Sequence, residues 1–257
     1  MTKQPPMKQM CPTPHEITGR LDHGIMSNFK PLILHAHATG PNPIKVAIVL
    51  ELLSLPYTVK MWDFGDDINK GVKGAAFLKI NENGRVPALE DRNTGVMSWE
   101  SGAVINYLRR QYDADGKKVG PRAKDGGAPD AQDVVDFEKW EYFLLTTLGP
   151  MTGQTNWFRH YNPVKNEDAL NRYIEQTDRC YSVLEGQVRK TGGESVLPGG
   201  ITAVDAHYEP WVRQHAFAQV SIEKYPNLTQ WLGKMKELDA VKKAYDTIQQ
   251  AAKPGES

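Results

Sequence analysis

Glu100-Ser101-Gly102 sets a carboxylate and a hydroxyl at the opening of a helix, because Val104, Ile105, Leu108 and Tyr112 follow at helical spacing. The backbone N–H groups of a first helical turn have no intrahelical partner, so Ser101 lies where a carboxylate is attracted. The neighbouring Glu100 suits an ammonium. Upstream, a proline at Pro87 opening the strand Val86-Pro87-Ala88-Leu89 is tolerated there and is expected in the cis form after a loop. That geometry would turn the N–H and C=O of Val86 away from the sheet, free to pair with an extended peptide laid alongside. A carboxylate, an ammonium and a peptide backbone together describe a small zwitterionic peptide.

The elements that must carry these groups read clearly. Val86 to Leu89, a turn at Asn93-Thr94-Gly95, and Val96 to Trp99 form a hairpin pattern. Before it, Pro31 to His35 reads as a short buried strand and Ala36 to Asn42 as a loop. Asn42 as cap and Pro43 as first helical residue then open a helix that Pro56 ends. Tyr57 to Trp62 alternates as a second strand, and a short helix is expected around Ala75 to Leu78. The order is strand, helix, strand, short helix, strand, strand, helix, a thioredoxin-like βαβ–ββα arrangement.

The glycine- and proline-rich stretch 113–129 reads as a linker. Beyond it, Asp130 can cap a helix bearing Phe137, Trp140, Leu144 and Leu148, which Gly149-Pro150 should break. Asn162-Pro163 repeats the cap-plus-proline start and leads into a helical stripe from Leu170 to Val188. Thr202 and Asp205 fit a capping box, which gives Asp205 a buried folding role. The expected fold class is α+β: an irregular arm over 1–30, a thioredoxin-like domain over 31–112 and an all-α bundle over 130–257.

The string Asn81-x-Asn83-Gly84-Arg85-Val86-Pro87-Ala88-Leu89-x-Asp91, a turn, then Trp99-Glu100-Ser101-Gly102-Ala103 resembles the glutathione-binding half of cytosolic glutathione transferases. Residues 149–173 are similar to the matching stretch of the nu-class bacterial transferases and of the yeast nitrogen-regulator branch. There the loop before the first helix carries a T/A-P-N-G type motif; here it is Gly40-Pro41-Asn42-Pro43. The resemblance covers about residues 31–250. It implies a homodimer that takes glutathione as co-substrate, with Val86, cis Pro87, Glu100 and Ser101 holding the tripeptide. It also implies Lys73 or Arg85, with Lys79 a further option, on the glycine carboxylate.

Glutathione reacts as a thiolate, and a free thiol titrates near about pH 8.5, so a donor must face the sulfur. The loop His35-Ala36-His37-Ala38-Thr39-Gly40-Pro41-Asn42 holds no Tyr, Cys or Ser. By resemblance the donor is the amide of Asn42, with the hydroxyl of Thr39 beside it. His35 and His37 are more simply read as satisfied or exposed side chains. The second substrate is expected between the domains, against Gln154, Trp157, Phe158 and Arg159.

The function implied is transfer of the glutathione thiol to a small electrophile. A glutathione-dependent disulfide or peroxide reductase is the second reading, and a non-catalytic regulatory protein on the same scaffold the third. With 31 basic and 31 acidic residues the chain has no net charge, which draws it to neither nucleic acid nor an anionic membrane. No run of about 18 apolar residues and no hydrophobic leader occurs, so a cytoplasmic location is expected. Cys11 and Cys180 lack metal or redox spacing, so both read as bystanders and no metal is expected.

Overall fold

The computed structural model describes residues 29–253, so most of the stretch read as an N-terminal arm lies outside the described residues. Four strands form one mixed sheet in the order β2-β1-β3-β4. β1 (Leu32–Ala36) runs parallel to β2 (Tyr57–Met61) and antiparallel to β3 (Ala88–Asp91), which pairs antiparallel with β4 (Val96–Trp99). Between them lie α1 (Pro41–Leu53) and the single turn α2 (Ala75–Leu78), and α3 (Ser101–Tyr112) closes the unit. This is the expected thioredoxin-like arrangement, and a helical half follows it.

Every residue of α1 from Pro43 to Leu50 is buried, because the helix packs on β1 and α3 on one side and on the C-terminal helices on the other. A helix covered all round needs apolar residues all round. Lys45 is the exception within it.

Three local expectations change. Gly40, not Asn42, caps α1, with extended backbone (φ −79°, ψ 129°) and no side-chain bond; Pro41 begins the helix, where a missing N–H costs nothing. Asn42 is left inside the first turn, its side chain free for another partner. Gly149-Pro150 does not break the helix. The run from α4 (Ala131–Phe143) passes through a wide π turn at Leu144–Leu148 into α5 (Gly149–Asn156), then a second wide turn at Trp157–Tyr161. The Gly149 N–H reaches back to Leu144 O, so the turn loosens just ahead of the residue that lacks a donor. Asn162-Pro163 lies in a connection, since a residue before proline is held extended (Asn162 ψ 120°). α6 (Glu167–Val188) starts four residues later, where Asn166 Oδ1 accepts from Ala169 N at 3.0 Å.

The predicted capping box of Thr202 with Asp205 is present, and Asp130, expected as a cap, forms a second one with Asp133. The fully buried Asp205 accepts from Val196 N, Thr202 N and Trp231 Nε1, which ties α7 (Ala203–Arg213) to the loop before it and to a later helix. The one-turn α8 (His215–Ala218), α9 (Pro226–Glu237) and α10 (Asp239–Ala252) complete the fold, with α10 returning to pack on α1 and β2.

Candidate functional site

Asp91, at the end of β3, fixes the hairpin against α3. Its carboxylate accepts from Tyr107 and Tyr112 hydroxyls and from Asn93 N. Burial alone would raise this carboxyl, but the phenols and the Asn93 groups outweigh it and hold it below its usual range. The Val86-Pro87 bond ahead of the hairpin is cis. After β4, Glu100 takes a positive φ (66°, ψ 115°), a conformation that costs a side-chain-bearing residue about 1–3 kcal/mol. Ser101 is the first helical residue and is buried, while Glu100 stays exposed.

A cavity of about 410 Å³ opens over this helix start, lined on its polar side by Asn42, Lys45, Arg85, Glu100, Ser101 and Gln154. Leu144, Leu145, Gly149, Pro150, Gly153, Trp157 and Trp211 wall it from the helical half. The structure thus brings together Asn42, Arg85, Glu100, Ser101, Gln154 and Trp157 of the residues singled out in the sequence, with Val86 and Pro87 directly following Arg85. Lys73 is not among the lining residues: its ammonium donates to Asn83 O at 2.9 Å. Phe158 turns away to stack on Tyr173, ring centroids 5.5 Å apart. Arg159 points elsewhere and donates to Gln219 Oε1 at 2.9 Å.

Two hydrogen-bonding residues of this cavity, Lys45 and Trp211, were not legible in the sequence. Lys45 is 1% exposed, one turn beyond Asn42 on α1, and burial pushes its ammonium down to about 7 against the pull of Glu100 and Glu141. Its signal was a single charge inside Val-Ala-Ile-Val-Leu-type sequence. Trp211 comes from α7, and its indole N–H donates to Asn42 Oδ1 at 3.1 Å. No local pattern could have paired residues that far apart in the chain.

Behind Lys45 lies a buried polar cluster. Glu141 accepts from Asn106 Nδ2 at 2.8 Å, Arg109 donates to Asn106 Oδ1 at 2.7 Å, and His207 Nε2 stands 3.2 Å from Glu141 Oε1. Burial pushes His207 down to about 4, so the ring is neutral near pH 7.

A second cavity of about 720 Å³ adjoins the first across Gly153, Trp157 and Trp211. Thr39, Gly40, Pro41, Asn156 and Gln214 line it together with the rings of Phe64, Tyr161 and Phe217, and none of its lining side chains carries a charge. Phe64, Trp157, Tyr161 and Phe217 keep between 45% and 67% of their surface open, so they are walls and not core. Phe64 lies tilted against His37, ring centroids 3.7 Å apart, and Phe217 stacks on His160 at 4.1 Å. Thr39 borders this cavity, with its hydroxyl 3.2 Å from His37 Nδ1. His35 is satisfied in the core: Nδ1 accepts from Trp62 Nε1 at 2.9 Å, which leaves Nε2 to donate to Glu90 at 2.8 Å. Among the described residues no cluster could hold a metal, no helix is long and apolar enough to cross a membrane, and Cys180 is buried and unpaired.

Residues 34–118 match the family model of the glutathione S-transferase N-terminal domain. The glutathione S-transferase-like protein gedE of Aspergillus terreus is 33% identical over 225 residues, which spans 81% of this chain and 92% of that protein. The chain therefore belongs to the glutathione S-transferase family. Within it, the likeness is to the Ure2 branch. The Phanerochaete chrysosporium transferase URE2P6, solved in complex with oxidized glutathione, aligns with a TM-score of 0.75 and 34% identity over 88% of this chain and all of that one (100%). The nitrogen regulation fragment of the yeast prion protein Ure2p aligns with a TM-score of 0.73 and 28% identity over 84% of this chain and 96% of that one.

Proposed function

We propose that this chain is a cytoplasmic, homodimeric glutathione transferase with nu-class-like chemistry. Residues 31–112 would bind the tripeptide, residues 130–257 would supply the second-substrate wall, and 113–129 would join them. The observation that carries the reading is the seam between a charged cavity and a neutral aromatic one, with Asn42 and Gly40 at the junction. In the charged cavity Glu100 faces the γ-glutamyl ammonium, and Ser101 with the free N–H groups of α3 takes the α-carboxylate. Val86 pairs with the cysteinyl backbone, and Arg85 is placed for the glycine carboxylate. Sulfur then lies near Asn42, whose amide donates to the thiolate, with the positive end of α1 adding to the effect.

The thiol proton leaves to solvent as the thiolate forms. The thiolate pair makes the new C–S bond, and the displaced electrons depart with the leaving group of the electrophile. A neutral, ring-lined cavity favours an uncharged acceptor over a second, anionic tripeptide, because an anion moved there would lose hydration without gaining a partner. The second reading, a disulfide reductase, is supported by the oxidized glutathione held by the Phanerochaete relative. The third, a regulatory protein, is supported by the likeness to Ure2p.

Ultraviolet titration of the glutathione complex separates the two enzymatic readings from the regulatory one. The bound thiol should titrate about one to two units below its free value, and Asn42→Ala should restore the free value with most glutathione affinity kept. An undisturbed thiol in the wild-type complex would overturn the enzymatic reading.

A further inference from the structure

An asparagine amide presents an oxygen on one side and an NH2 on the other, and only the NH2 can stabilise a thiolate. Something must decide which side faces the sulfur. On α1 the cap residue leaves Asn42 without a local backbone partner, so neither face is set by the helix itself. The indole of Trp211 is different: Nε1 is a donor with no acceptor capacity, and it stands 3.1 Å from the Asn42 side-chain oxygen. With the oxygen held there, the NH2 must point away from the indole. No acceptor among the described residues takes it up, and Asn42 lines the polar cavity.

Trp211 is itself seated. Gly149 and Gly153 lie four residues apart on one face of α5. A β-carbon on Gly149 would stand 3.4 Å from Trp211 Cε2, and one on Gly153 would stand 3.6 Å from Cη2. Both distances are ordinary van der Waals contact, so the ring lies directly along the face of α5 that carries the two glycines. Gly149 also opens α5 directly after the wide turn, so the helix that continues past Pro150 is the one that carries this seat.

We infer that Trp211 is a positioning residue: seated on the glycines of α5, it locks the Asn42 amide with its NH2 toward the sulfur site and so makes thiol activation depend on docking of the two halves of the chain. This rests on the proposed role of Asn42. Trp211→Phe keeps a ring on the glycines and removes only the donor. In this variant the bound thiol should titrate closer to its free value, and the acid limb of the kcat profile should move up with it. kcat below neutrality should fall about threefold to tenfold, as for loss of one hydrogen bond, while KM for glutathione stays within about twofold.

In the Asn42→Ala background the same substitution should move the thiol no further. A Trp211→Phe thiol that titrates as in wild type overturns the inference, and so does an equal shift in both backgrounds. A wild-type thiol that is not depressed overturns the functional reading beneath it instead. A measurement on wild type is independent of folding in the variant: the Trp211 indole proton resonance should follow the thiol titration on glutathione binding, and an indole signal blind to it overturns the inference.

Discussion

The two cavities that share Gly153, Trp157 and Trp211 are built by opposite means. The polar cavity is local at its base: Arg85, Glu100 and Ser101 come from one hairpin and the helix that follows it. The aromatic cavity draws Phe64 from the loop after β2, Trp157 and Tyr161 from a wide turn, and Phe217 from α8. One is charged and fixed by cis Pro87, the Asp91 bonds and the start of α3. The other is neutral and lined by half-open rings. On the proposed function, the difference would separate recognition of a constant tripeptide from acceptance of a variable partner, and would put selectivity in side chains that carry little of the core.

Removing the charge at Glu100 is the largest expected break in that division. Glu100→Gln keeps the size and the same backbone demand at positive φ, and loses the carboxylate. A charge-assisted hydrogen bond to an ammonium is worth about 2 kcal/mol, so glutathione should bind about 30-fold more weakly by calorimetry. The affinity of an apolar acceptor should not follow. An unchanged glutathione affinity would show that the ammonium lies elsewhere.

The converse cut is smaller. Phe217→Ala removes a half-exposed ring and with it about 1 kcal/mol of contact with a flat acceptor, so KM for the acceptor should rise about fivefold. KM for glutathione should hold. If both constants rise together, the two cavities act as one site and their separation fails.

This division also marks what the sequence could disclose. The hairpin, the start of α3, the Asp130 cap and the Thr202 capping box follow from neighbours in the chain, where turn residues, period and caps speak directly. The basic residues could not be ranked, because a solvated Lys73 and a cavity-facing Arg85 look alike until the loop between them is folded. Phe158 and Trp157 are adjacent, yet a wide π turn aims one at Tyr173 and the other into the cavity. An ordinary helical period sets adjacent residues about 100° apart, but the wide turns shift the register, so the period alone could not say which of the two faces the cavity. Trp211 was invisible for a different reason: its partner lies in the other half of the molecule.

Lys45 offers the finest test, because it adds a titrating group to the polar cavity and leaves the aromatic one untouched. Burial lowers its ammonium from an ordinary 10.5 to about 7, so above neutrality the empty site holds it mostly as the amine. A ligand carboxylate brought into that cavity favours the ammonium and raises its pKa. Binding near pH 8 should therefore take up a fraction of a proton, and affinity should fall as pH rises through that window. The same shift acts on folding with its own sign. The unfolded chain holds the proton up to 10.5, so the cost of burying Lys45 is largest below about pH 7 and fades as pH climbs towards 10.5. S-methylglutathione removes the thiol from the balance, and calorimetry in two buffers of different ionisation enthalpy reads the uptake. Lys45→Met should abolish most of it and weaken binding by about tenfold. Uptake that survives the substitution would assign the proton to the ligand's own amine beside Glu100, and would remove Lys45 from the site.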